Sequence, residues 1–178
     1  TVATFLNDSD KTLVQEAARA IIGANIPQAF PALAALSENA GALDYMLGLR
    51  VLNAHFREGN PANATALASF AANATASEAL RAEAIHHLST WENPPARDRV
   101  IGLFRPLPSR DGKVAEKAIA KVFDQLLTGP ELVQAKAIGT ATELNLTSLT
   151  KDLFSKFKDH TTPSSVRITI LDTLLKLN

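Results

Sequence analysis

The chain has 178 residues, in which 18 Lys and Arg balance 18 Asp and Glu, and apolar residues make up 46%. Balanced charge argues against neutralising nucleic-acid phosphates, and aromatics at 6% leave little surface for stacking bases. The absence of cysteine excludes disulfides, thiol nucleophiles, zinc ribbons and covalently attached haem, and no apolar run reaches the length of a membrane span.

Proline and glycine cut the sequence into helix-length segments. Apolar residues recurring at three and four predict helices over about 11–22, 27–37, 42–57, 62–73, 76–91, 97–104, 113–127, 130–144, 149–159 and 163–177. The clearest stripe is Val114, Ala115, Ala118, Ile119, Val122, Phe123, Leu126 and Leu127. Helix starts are marked by Asn60-Pro61, Gly129-Pro130 and Thr162-Pro163, and Thr75 with Glu78 has the spacing of a capping box. Beginning at Thr1 with neither an initiator Met nor a signal peptide, the sequence reads as processed or as a piece of a longer protein.

A short pattern recurs among the second helices of successive pairs. Val14-Gln15-Glu16-Ala17-Ala18 matches Leu80-Arg81-Ala82-Glu83-Ala84, Val133-Gln134-Ala135-Lys136-Ala137 and Val166-Arg167-Ile168-Thr169-Ile170, with a weaker copy from Leu43. The starts at 14, 43, 80, 133 and 166 are unevenly spaced. The pattern resembles the HEAT-repeat family, in which Val-Arg-x-x-Ala marks the inner helix. The resemblance implies an all-α fold, an α–α superhelix of four to five helix pairs over a single domain, 1–178. It also implies that Asp8 or Asp10 caps the first copy and that Arg81 and Arg167 bond to acidic turns. Stacked units bury one another's apolar faces, so Ala18, Ala84, Ala137 and Ile170 are expected at helix seams.

The long spacing between Leu80 and Val133 holds an insert at about 91–112, with Trp91-Glu92-Asn93-Pro94-Pro95 at its start. Together with Leu80–Ala84 it resembles the HEAT-like region of large bacterial membrane-bound dehydrogenase-like proteins. There a sugar-dehydrogenase-type propeller precedes the helical region and a c-type cytochrome domain follows. This resemblance implies a periplasmic or otherwise extracytoplasmic spacer. Haem attachment needs Cys-x-x-Cys-His, which is absent, so redox activity is not carried over.

Within the insert, Arg97, Arg99, Arg105 and Arg110 accompany Asp98 and Asp111. Four guanidiniums suit bidentate contact with a carboxylate- or phosphate-bearing partner, or with an adjacent domain. The bland alternative has Asp98 and Asp111 capping helices while the arginines bond internally. Six large apolar residues in the insert argue for order, with Trp91, Ile101 and Phe104 packed inward and the arginines outward. Glu83 and His87 share a helix face, but His86 points about 100° away, so no metal site is expected. No phosphate loop, nucleophile elbow or paired-carboxylate motif occurs, and neither catalytic residues nor cofactors are expected. The functional expectation is a non-catalytic scaffold for protein–protein or interdomain contacts. The rivals are a HEAT-like lyase binding a tetrapyrrole and a nucleic-acid-binding solenoid, the latter disfavoured by charge.

Overall fold

The computed structural model describes residues 1–177, and its regular elements are all helical. A 3₁₀ helix at Val2–Asn7 precedes α1 (Lys11–Gly23). There follow α2 (Phe30–Ala34), α3 (Tyr45–Glu58), α4 (Pro61–Ala72), α5 (Glu78–Ser89), α6 (Gly112–Leu127), α7 (Glu131–Glu143), α8 (Thr150–Lys158) and α9 (Ser164–Leu177).

Local chemistry sets the boundaries. Asp10, Asp44 and Ser77 accept the first free N–H groups of α1, α3 and α5, and Asn60 forms a reciprocal capping box with Asn63 at the start of α4. The box expected at Thr75 and Glu78 is thus replaced: Ser77 caps α5, and the Thr75 hydroxyl donates to Asn73. α1 and α7 end alike, on Asn25 and Asn145 in the left-handed region (φ 53 and 52). The Ile26 and Leu146 N–H groups then reach back to Ile21 and Ala141 carbonyls.

Two expected helices are corrected. Residues 27–37 contain only the short α2, flanked by 3₁₀ segments at Pro27–Ala29 and Ala35–Ala42, with a kink at Asn39. Residues 97–104 form a tight turn in which Arg97 and Phe104 pair antiparallel and Gly102 has φ 70. The Asp98 carboxylate accepts the N–H groups of Val100 and Ile101, a local bond that competes with helix formation.

The odd-numbered helices form a row, α1 against α3, α3 against α5, α5 against α7 and α7 against α9. α2 packs on α3, α4 on α5 and α6, α6 on α7, and α8 on α9. Apolar side chains of α3 divide between two clusters, one shared with α1 and α2 and one running on through α4 to α9.

The weaker repeat copy also moves. Leu43 precedes α3, and Asp44, by capping the helix, places the equivalent residue at Leu47. The matching caps and ends of α1 and α7 place the first start at Leu13, so repeat starts fall at Leu13, Leu47, Leu80, Val133 and Val166, at spacings of 34, 33, 53 and 33 residues. A nearly regular repeat with one insertion replaces the irregular series. The fifth positions are Ala17, Val51, Ala84, Ala137 and Ile170, 4% exposed at Ala17 and 0% at the others, and Ala18 beside Ala17 is also at 0%.

Candidate functional site

The insert after α5 folds back over the row rather than projecting from it. Asp98 is buried and accepts Asn53 Nδ2 (3.0 Å) and Arg57 Nη1 (3.1 Å) from α3, besides its own turn. Burial alone would raise its carboxyl. The Asn53, Val100 and Ile101 donors and the Arg57 charge outweigh that and hold it below the ordinary carboxylate range.

Arginines do most of the fastening. Arg105 donates to the Ile22 and Gly23 carbonyls at the end of α1, at 2.6 and 2.7 Å. Arg110 donates to the Phe56 carbonyl near the end of α3 (2.7 Å), its guanidinium between the rings of Phe56 (4.6 Å) and Trp91 (4.4 Å). Burial, with Arg57 nearby, lowers its pKa to about 10. A cation set on the last carbonyls of a helix meets the negative end of the dipole, and two aromatic faces stand in for a counter-ion. A side chain on Gly59 would collide with this guanidinium, and Gly59 itself takes φ 70 to end α3. Arg99 grips both oxygens of Glu83 on α5 (2.8 and 2.9 Å), and Arg97 bonds to the Gly102 carbonyl within its own turn.

The expected outward array of four arginines is therefore corrected. Arg105 and Arg110 are half-buried and bound to helix ends, while Arg97 and Arg99 are exposed as expected, Arg99 paired with Glu83. Trp91 is packed as expected, edge-on to Phe56 at 6.1 Å, and Val100 and Ile101 pack against the α1–α3 cluster. Phe104 is the exception, 70% exposed beside an exposed Leu103. Asp111 caps α6 through the Lys113 N–H, whereas Asp98 caps only its turn.

Arg81 and Arg167 also differ from expectation. Each donates to a carbonyl ten residues upstream, Ala71 for Arg81 (2.7 Å) and Phe157 for Arg167 (3.0 Å), not to an acidic turn. At both places the guanidinium closes the end of the preceding helix of its own pair.

His87 and His55 occupy interior positions. His87 is buried and stacked on Phe56 at 4.5 Å, its Nε2 3.7 Å from Glu83. Burial pushes it down to about 3 despite that carboxylate. His55 is bonded to Ser37 (2.9 Å) and Asn63 (3.0 Å), and burial takes it to about 4. Burial alone would raise the Glu83 carboxyl, but the Arg99 hydrogen bonds and charge outweigh that and hold it below the usual carboxylate range. Among the described residues no three His, Cys, Asp or Glu side chains are grouped to hold a metal.

The repeat register exposes a surface that sequence reasoning missed. Residues immediately before the first position point away from the even helices, opposite the buried fifth position. Met46 and Leu132 hold that place and are 47% and 49% exposed, α5 and α9 carry Ala79 and Ser165 there, and Leu13, one position further on in α1, is 43% exposed. Third-position residues Leu49, Ala82 and Ala135 lie beside them, half-buried, and Ile168 is exposed. An apolar ladder thus runs along the row, with Glu16, Arg50 and Lys136 at its margins. The insert covers only part of this face, over Asn53 and Glu83. With Leu47 in register, the ladder could have been read from the sequence.

No family model matches the chain, and no curated protein or solved structure matches it either.

Proposed function

We propose that the chain is a HEAT-type helical-repeat scaffold, without catalysis of its own, that holds a protein segment along the apolar ladder of its odd-numbered helices. One observation carries the reading: Met46 and Leu132 are large, exposed and related by the repeat, and Leu13 is exposed one position along on α1. Single exposed apolar residues are ordinary, but a line of them along one row of helices, rimmed by charge, is the form of a protein-binding surface. In solenoids each unit adds one rung to an extended face, and affinity sums over rungs. The insert acts as a brace that fixes units one to three relative to one another, and Arg97 with the outer edge of Arg99 is the part of it left to a partner. In a longer protein the same braced stack would set the distance between flanking domains. That is the extracytoplasmic spacer role implied by the resemblance of the Trp91–Gly112 segment.

Selection of peptides from a displayed random library, followed by titration calorimetry, tests the assignment. Peptides selected on the protein should lose at least tenfold in affinity on Met46→Lys with Leu132→Lys, and little on Leu103→Lys at the insert tip. Equal binding to the double variant would refute it.

A further inference from the structure

α1 and α7 end in the same turn. The Ala24 and Leu144 N–H groups donate to the carbonyls of Ala20 and Thr140, those of Asn25 and Asn145 to Ile22 and Thr142, and those of Ile26 and Leu146 to Ile21 and Ala141. A three-residue 3₁₀ segment follows each turn, at Pro27–Ala29 and at Thr147–Leu149. With Asn25 and Asn145 left-handed at φ 53 and 52, the closing carbonyls of the two helices correspond: Ile22 and Gly23 on α1, Thr142 and Glu143 on α7.

On α1 this pair of carbonyls holds a guanidinium. Arg105 gives Nη1 to Ile22 and Nη2 to Gly23, the two arms of one planar fork. The device recurs: Arg110 sits on Phe56 of α3, Arg81 on Ala71 of α4 and Arg167 on Phe157 of α8. The insert's arginines reach α1, α3 and α5, and among the described residues no side chain donates to the Thr142 or Glu143 carbonyl. The Thr142 hydroxyl is turned aside, donating to Thr173 of α9 (3.1 Å). Where α1 has Gly23, α7 has an exposed Glu143, whose carboxylate adds to the negative end of the helix dipole. Its charged neighbours are Lys136 on the same face of α7, His86 of α5 and Lys176 of α9, and among the described residues none is ion-paired with it.

We propose that the end of α7 seats an arginine side chain of a partner protein, as the end of α1 seats Arg105. A guanidinium fits because its two arms span adjacent carbonyls, whereas an ammonium meets them as a point charge. Glu143 supplies the counter-charge that the carbonyls lack. The seat is defined by the matching turns alone and does not depend on the apolar ladder.

Ethylguanidinium and ethylammonium, titrated separately into isotope-labelled protein at fixed ionic strength and followed by amide chemical shifts, are the test. On wild type, ethylguanidinium should give saturable shifts confined to residues 142–146, with a Kd of about 1–10 mM, the weak end of specific association. Ethylammonium should bind there about fivefold more weakly. Arg105→Ala vacates the α1 seat and makes it an internal standard, so that ethylguanidinium should then shift residues 22–26 as well. Glu143→Gln should weaken binding at α7 several-fold and leave the vacated α1 seat unchanged, and the spectrum of each variant shows whether the fold is kept. Shifts at the vacated α1 seat without shifts at α7 overturn the proposal. So do shifts at neither place, and so does equal binding of ethylammonium at α7.

Discussion

His87 stands at the eighth position of its repeat, where α3 has Ala54 and α7 has Thr140, all of them buried. Its sequence context, two histidines beside a glutamate, draws attention to metal chemistry. The register instead makes it a core residue stacked on Phe56. Being held neutral has a consequence for stability. His87 and His55 have folded pKa values near 3 and 4, below the unfolded value near 6.5, so the unfolded chain binds more protons across that interval. Stability from these groups is complete above about pH 6.5 and is withdrawn as pH falls through the interval, by on the order of 3 kcal/mol each by pH 4. Around His87, Glu83 and Asp98 favour the proton while His86 and Arg99 oppose it. Thermal melts should be flat from pH 8 to 6.5 and drop steeply towards pH 4, and His87→Leu should remove a substantial part of that drop. An unchanged acid slope in His87→Leu would show that His87 titrates normally.

At the scale of elements, the helices were legible because their apolar stripes and caps agree. The insert was not. Val100, Ile101, Leu103 and Phe104 have spacings that suit a helix, yet Gly102, the Asp98 side chain and Pro106 favour a turn that packs two of these residues and leaves the other two outside. Nor did charge type alone reveal where the arginines go. Arg105 and Arg110 find carbonyls at helix ends 54 to 83 residues away in sequence, which only the folded topology brings near. Register slipped at Leu43 because apolar residues four apart occur at both 43–47 and 47–51, and only the cap at Asp44 decides between them. Corrected, the register makes a sharp claim about seams. Val51 and Ala84 each sit in a fully closed space, so Val51→Asp or Ala84→Asp should cost about 3–5 kcal/mol, the price of burying an unpaired charge. Chemical denaturation would measure it, and a loss below about 1 kcal/mol would show the seam to be open.

Across the whole molecule, two apolar clusters meet at α3, and the insert spans the join by binding the ends of α1 and α3. Repeat proteins unfold by units where the coupling between neighbours is weak. Arg105→Ala removes the insert's side-chain bonds to α1, so amide exchange in α1 and α2 should speed several-fold while α5 to α7 keep their protection. Uniform acceleration throughout would mean that the brace does not act locally. The ladder of Leu13, Met46 and Leu132 crosses both clusters, so a partner lying along it would contact units that the brace holds in fixed relation. Chemical-shift mapping of a selected peptide on isotope-labelled protein tests this most directly. The largest perturbations should fall on Leu13, Met46, Ala82, Leu132, Ala135 and Ile168, in one line along the odd helices. Perturbations gathered instead at Leu103 and Phe104, or in the cleft between α6 and α8 beside Asp124 and Asp152, would contradict the ladder as the binding surface.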